Sequence, residues 1–374
     1  MKNKIFFELI HQSRRSRARV GRIHTPHGVI ETPGFVPVAT NATIKTVESS
    51  LINQLDVQLM FCNTYHLLLH PGPEVVAAAG GLHRFMNRPG PIITDSGGFQ
   101  VFSLAYGGVA DELKSRGKKK SEGSVLRITE DGVLFRSYRD GSPVLLTPES
   151  SVQVQKSLGA DIIIPLDELV PYHLDPRALR RSLERTHRWE ERSLIEHKND
   201  PREQAMYAVI PGSVDMSLRE RSCAYLQKLP FDGFAIGGSL GKTREEMIAL
   251  VGQIVPLLSG DKPRHLLGIG DLPSLEACIL FGIDTFDSAH PTKCARHGIL
   301  FSDKGPINLT RSYWKTVHEP VSDAPFCREY SASYLHHLFK THEVAAHQLA
   351  TLHNVDYMMR FMRRVRERIL ADEI

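Results

Sequence analysis

The 374-residue sequence predicts an α/β protein: a (β/α)8 barrel with a hairpin and basic loop inserted after the third strand, and a helical C-terminal subdomain. Three observations carry this. Eight short apolar runs, each ending in a polar or glycine-rich turn, recur between residues 34 and 291, as buried parallel strands do. Helix-periodic segments alternate with several of them, the pattern of α/β architecture. No G-x-G-x-x-G follows the first run, so an open dinucleotide-binding sheet is the weaker reading.

The runs in order are GFVPVAT (34–40), VQLMFCNT (57–64), GPIITDSGG (90–98), DIIIPLDE (161–168), MYAVIPGS (206–213), FDGFAIGGS (231–239), RHLLGIGD (264–271) and DTFDSAHP (284–291). Most are too short and too evenly apolar to be amphipathic helices. Helical periodicity marks 148–159, 176–197, 215–228, 243–258 and 272–282. Turn residues and the alternation in GVLFRSY predict a hairpin within 103–147, and a long helix is expected from about 329 to the end. The expected division is a barrel over 1–300, with an insertion near 105–147, and a helical subdomain over 301–374 packed on it.

Composition is that of a soluble globular chain, with 41% hydrophobic and 24% charged residues and a net charge of +4, which excludes disordered and collagen-like classes. Five scattered cysteines without a C-x-x-C give neither a disulfide scaffold nor a self-evident zinc motif. The apolar run in MKNKIFFELIHQSRR is too short for a signal peptide or membrane span, so a cytoplasmic enzyme is expected. Charge is unevenly placed: 13–22 holds five Arg and no acid, 114–120 five basic residues and no acid, and 360–368 five Arg and one Glu. That segregation is compatible with an RNA partner.

In a barrel, catalytic groups collect at the carboxyl ends of the strands. There the sequence presents Asn63, Asp95, Asp167, Ser213, Gly238 and Asp287. One Asp after a strand is ordinarily a helix N-cap. Three of them beside Gly97-Gly98 and Gly237-Gly238 point to a shared site, where glycines let a flat ligand approach the backbone. Two facing carboxylates support double displacement at a sugar carbon, one attacking the anomeric carbon and the other carrying the proton.

GPIITDSGGFQVFSL, FAIGG, FDSAHPT, CNTYHLLLHPG and the tail motif CREYSASYLHHL…TLHN resemble tRNA-guanine transglycosylase over about residues 6–365. The resemblance implies exchange of guanine at wobble position 34 of a tRNA anticodon for a 7-deazaguanine, queuine or preQ1, through a covalent ribosyl–aspartate intermediate. It casts Asp287 as nucleophile and Asp95 as general acid/base. Phe99 would stack on the base and Asp167 would accept from its guanidine-like edge, with Asn63, Ser96, Gly97, Gly98, Leu169, Pro211, Gly237, Gly238 and Leu267 completing the substrate pocket. Gly268, Ile269, Gly270, Asp271, Leu272, Pro273 and Ser274, with Thr292, Lys293, Cys294, Ala295 and Arg296, match the family's RNA-binding segments. Lys293 replaces a usual Arg, keeping charge without the planar fork. No cofactor is needed for the chemistry, and a homodimer is the family habit. A non-catalytic tRNA-binding partner and a retaining glycoside hydrolase are the competing readings; retention of both Asp95 and Asp287 speaks against the first, and DSGGFQ with the basic clusters against the second.

Three departures from the family pattern stand out. Pro211 takes the place of a base-binding Gln and has no side-chain donor or acceptor. Leu169 and GGSLGK (237–242) replace a Cys and a GGLAVG loop, which favours queuine over preQ1 as the incoming base. Ser322 and Ala324 take the place of two zinc-binding cysteines, leaving only Cys327 and His353 of the family's ligands, so the structural Zn2+ is expected to be lost or weak, because such a site wants four N or S donors.

Overall fold

A computed structural model describes residues 6–106, 125–170 and 175–374. The basic run at 114–120 lies outside those residues. An antiparallel sheet comes first: β1 (Phe7–Gln12), β2 (Arg19–Thr25) and β3 (Gly28–Thr32). The parallel sheet is built from β4 (Gly34–Pro37), β5 (Met60–Cys62) and β6 (Ile92–Thr94). After the insertion strands β7 (Val125–Ile128), β8 (Val133–Arg136) and β9 (Pro143–Leu146), it continues with β10 (Ile162–Ile163), β11 (Ala205–Ile210), β12 (Gly233–Ile236), β13 (Arg264–Leu266) and β14 (Thr285–Ser288). The order β4-β14-β13-β12-β11-β10-β6-β5 is parallel throughout, and a bridge from Val38 to Phe61 joins its two ends. The sheet is therefore an almost closed eight-stranded barrel, and each strand falls within one of the eight apolar runs, except that β11 begins one residue before its run, at Ala205.

The interior is a layer of Val36, Phe61, Ile93, Ile162, Val209 and Ala235, while Phe7, Ile23 and Ile30 of the N-terminal sheet join the same cluster and plug the amino end of the barrel. Outside the sheet, a larger cluster packs helices against it, including Val152, Leu194, Leu226, Val251, Leu275 and Met358. Sequence chemistry marks where the helices begin. Thr147 and Ser150 form a capping box before Pro148–Leu158, and Asp175, Asp215, Thr243 and Asp271 each accept backbone N–H bonds at the starts of Pro176–Asn199, Met216–Leu226, Arg244–Ile254 and Leu272–Ile279.

The structure departs from sequence expectation in four places. The N-terminal sheet was hidden by a basic stretch that looked like an RNA contact. The insertion is a three-stranded meander, β7-β8-β9, which Trp189 anchors by donating its indole N–H to the Glu130 carbonyl at 2.9 Å. The expected single tail helix is two, Ala332–Lys340 and Val344–Leu370. His342 adopts φ 59° between them, a left-handed conformation that ends a helix.

The fourth departure concerns charge. Arg19 is buried and forms a double hydrogen bond with buried Asp284, at 2.9 and 2.6 Å, at the amino end of the barrel. In the last helix Arg360 pairs with Asp356 at 2.7 Å, Arg363 with Asp56 at 3.0 Å, Arg364 with Asp303 at 2.9 Å and Arg366 with Glu31 at 3.4 Å. Within 13–22, Arg14 and Arg19 are thus paired, and all five arginines of 360–368 stand in intramolecular ion pairs, so among the described residues these two clusters are partly neutralised within the fold.

Candidate functional site

The carboxyl ends of the barrel strands bring Asp95, Asp167 and Asp287 to one mouth. Asp95 follows β6 directly and is buried. Its Oδ1 accepts the Thr64 N–H at 2.7 Å and its Oδ2 accepts the Asn63 amide at 2.8 Å. Asn63, expected to touch the base, gives one amide N–H to holding Asp95. Burial pushes the Asp95 carboxyl above its ordinary range; the bonds from Asn63, Thr64 and Gln100 pull it back, and the neighbouring Asp287 charge adds to the rise. A buried carboxyl with raised proton affinity is suited to carrying a proton.

Asp287 lies within β14 and is held on one oxygen. Its Oδ1 faces the His265 Nε2 at 3.0 Å and accepts the Gly268 N–H at 3.0 Å. Gly268, assigned from sequence to RNA, thus serves Asp287 with its backbone. His265 was missed in the sequence because it lies inside an apolar run. The available signal was two-residue strand periodicity, which puts a side chain of β13 beside Thr285 and Asp287 of β14.

Asp167 follows β10. It keeps some accessible surface, yet it is closely surrounded by protein, and that desolvation pushes its carboxyl up to about 7, with Asp95 and Glu168 adding to the rise. It lines a pocket with Leu169, Pro211, Gly237 and Gly238, so five residues named from sequence converge. Gly97, at φ +85°, carries the turn after Asp95, and a Cβ on Gly98 would stand 3.0 Å from the Asp167 carbonyl. These glycines let the two loops approach. Phe99 stands 47% exposed beside them, free to stack, while Ser96 accepts the Gly98 N–H at 3.2 Å and so shapes the turn. Leu267 packs where a Cβ on Gly237 would otherwise be, 2.7 Å from its Cδ1.

A second residue escaped the sequence reading. Arg219 is fully buried and donates to the carbonyls of Ser213 (2.8 Å), Ile210, Gly237 (3.0 Å) and Ser239 (3.2 Å). Its guanidinium ties the loop after β11, which carries Pro211, to the loop after β12. Arg219 thus secures both pocket walls from behind.

The RNA segments divide. Gly268, Pro273 and Lys293 are exposed, and Ile269, Leu272, Cys294 and Arg296 partly so. Ser274, Thr292 and Ala295 are buried, Gly270 is closed off against Ser288, and Asp271 caps its helix and pairs with Arg244 at 3.0 Å. Direct side-chain recognition from the buried positions is excluded without movement; their part is to shape the segments that carry the exposed ones.

In the tail, His353 has its Nδ1 3.0 Å from the Ser322 hydroxyl and its Nε2 2.9 Å from the Phe301 carbonyl. The Cys327 thiol lies 3.8 Å from the Leu349 carbonyl, and Ala324 is fully buried. This donor set does not fit a four-ligand zinc site. Among the described residues, the one group of three potential ligand side chains, His27, His83 and Asp161, lies at the amino end of the barrel. Its two imidazoles stack face to face, 3.5 Å apart, and each addresses a different oxygen of Asp161. Parallel rings so close cannot both direct an in-plane lone pair at one ion, so the trio is a hydrogen-bonded tie.

Residues 13–374 match the family model described as queuine tRNA-ribosyltransferase. The chain is 60% identical over 371 residues to a queuine tRNA-ribosyltransferase of Protochlamydia amoebophila, covering 98% of this chain and 96% of that one. It is 56% identical to that of Chlamydia abortus and 52% to that of Chlamydia trachomatis serovar L2, each over 372 residues, covering 98% of this chain and 99% of the relative. With an almost closed parallel barrel and three carboxylates at its mouth, this chain belongs to the queuine tRNA-ribosyltransferase family.

Proposed function

We propose that this protein exchanges guanine at the wobble position of a tRNA anticodon for a 7-deazaguanine, as a pentosyltransferase in queuosine modification. The observation that carries the reading is the division of labour among the mouth carboxylates. Asp287 has one oxygen tethered and stands beside a second carboxyl, Asp95, whose proton affinity is raised by burial. Asp287 attacks C1′ of the ribose; the C1′–N9 bond breaks and its electron pair leaves with guanine, which takes a proton from Asp95. The incoming base gives its N9 proton to Asp95, its nitrogen bonds C1′, and the C1′–O bond to Asp287 breaks with its pair returning to the carboxylate. One glycosidic bond replaces another, so the chemistry calls for no cofactor. Asp167 receives the base's paired N–H donors, which separate guanine from adenine, and Phe99 stacks on its ring.

Queuine is the favoured incoming base. A Cβ at Gly238 would meet only Leu169 Cδ1, at 3.7 Å, and Arg219 Nη2, at 3.9 Å, so this wall leaves room that a bulkier loop would fill. The tail is held without zinc; the hydrogen bonds of His353 and the enclosure of Ala324 support that. By the family resemblance the protein works as a homodimer in the cytoplasm; among the described residues no helix is long and apolar enough to cross a membrane.

The test is incorporation of labelled guanine, preQ1 and queuine into a tRNA bearing G at the wobble position. Exchange by the wild type, and a denaturation-resistant RNA adduct lost in Asp287→Asn, are expected. No exchange of any base overturns the reading, and efficient preQ1 incorporation with none of queuine overturns the base preference. Stoichiometric zinc in purified protein refutes the metal-free tail, and a monomer by sedimentation refutes the dimer.

A further inference from the structure

We infer that His265 is a positioning residue for the second displacement. As a neutral Nε2–H tautomer set by Thr285, it binds the Asp287 oxygen that becomes the carbonyl of the ribosyl ester, and so makes that carboxylate a better leaving group. The inference rests on the reading of Asp287 as nucleophile.

His265 is fully buried in β13, with Thr285 directly across the ladder and Asp287 two residues farther along the same face of β14. Its Nε2 is 3.0 Å from Asp287 Oδ1, and its Nδ1 is 2.8 Å from Thr285 Oγ1. An ionised carboxylate offers only acceptors, so Nε2 must carry a hydrogen. Nδ1 is then free to accept from the Thr285 hydroxyl, and a neutral imidazole suits a site closed to water. The ring is fixed by both contacts, which leaves its donor little freedom to follow anything other than Oδ1.

Both donors, His265 and the Gly268 N–H, converge on Oδ1; among the described residues neither reaches Oδ2. Attack therefore falls to Oδ2, and in the ester Oδ1 is the carbonyl oxygen. When the incoming nitrogen bonds C1′, the C1′–Oδ2 bond breaks and its electron pair returns to the carboxylate, whose charge is shared with Oδ1. A hydrogen bond to a charged oxygen is stronger than one to an ester carbonyl, so the two donors gain strength as the ester opens. The help is directed at the second step, and the first step is held back slightly because its nucleophile begins stabilised.

The experiment uses the full chain, a tRNA with G at the wobble position and labelled guanine. His265→Phe keeps the volume and removes the donor; His265→Gln places an amide N–H near the position of Nε2. For His265→Phe, kcat is expected to fall by about 10²–10³, as for loss of one donor to a developing charge, with the tRNA KM within about threefold of wild type. After a guanine chase, its denaturation-resistant RNA adduct should decay more slowly by a similar factor, and His265→Gln should recover at least about tenfold of the loss. Adduct that decays at the wild-type rate, or a kcat within about threefold of wild type, overturns the proposal. If His265→Phe does not fold, Thr285→Val carries the same test, slowed decay supporting it and wild-type decay overturning it. An adduct in Asp287→Asn would instead remove the nucleophile reading itself.

Discussion

The two ends of one barrel treat the same side chain in opposite ways. At the amino end, Asp284 is matched by Arg19 and by the Arg264 N–H at 2.6 Å, and Asp161 accepts from His27, His83 and the Ile92 N–H. Those hydrogen bonds hold the Asp161 carboxyl below its ordinary range despite its burial. At the carboxyl end, desolvation dominates at Asp95 and Asp167, and both are raised. A buried acid whose lone pairs are consumed by donors is a structural tie. A buried acid whose desolvation outweighs its hydrogen bonds spends stability and gains a proton affinity near the working pH.

Substitutions at the two ends sharpen that contrast. The largest effect is expected for Asp287→Asn, which keeps shape but removes the proposed nucleophile: base exchange should drop by about 10⁴ or more, with thermal unfolding no lower than wild type. Arg19→Met should do the reverse. Leaving Asp284 buried and unpaired costs about 3–5 kcal/mol, seen as a lowered unfolding midpoint with kcat preserved in the folded fraction. If both variants lose stability equally, the contrast between the ends fails.

The next effect is one of pH. If Asp167 receives the base as proposed, recognition needs it ionised, and burial pushes its carboxyl up to about 7. Affinity for free guanine should fall about tenfold per unit as pH drops below that value and level off above it, and Asp167→Asn should flatten the profile while weakening binding. Because its proton affinity is raised on folding, Asp167 favours the folded state most in acid and progressively less as pH rises from the unfolded value of 3.8 toward 7. The smallest effect belongs to Asp161→Asn, expected to cost about 1.5–3 kcal/mol at neutral pH. A depressed carboxyl contributes above its unfolded value and loses that contribution as pH falls through the folded one, so urea midpoints of variant and wild type should converge below about pH 4.

Much of this was legible in the sequence. All eight barrel strands lie in evenly apolar runs, and burial on both faces is what such runs encode. The placing of Asp167, Gly237 and Gly238 at one mouth followed from their position at strand ends, while Leu169 and Pro211 were named through the family resemblance. The residues that escaped notice are those whose meaning depends on a partner far along the chain. His265 is one polar letter in an apolar strand until β14 lies beside it. Arg219 looks like a solvated helix residue until four carbonyls surround it. Asn63 was named as a ligand-binding amide, and only proximity showed that it also holds Asp95.

The charge pattern makes the division plain. Local sequence determines which segments become strands, where helices start and which acids stand at strand ends, because period, capping and turn chemistry act over a few residues. Whether Arg19 or Arg366 meets RNA or a carboxylate 265 or 335 positions away was decided only by the tertiary structure, because electrostatic and hydrogen-bond partners are set by distance in space, and the chain order carries no record of it.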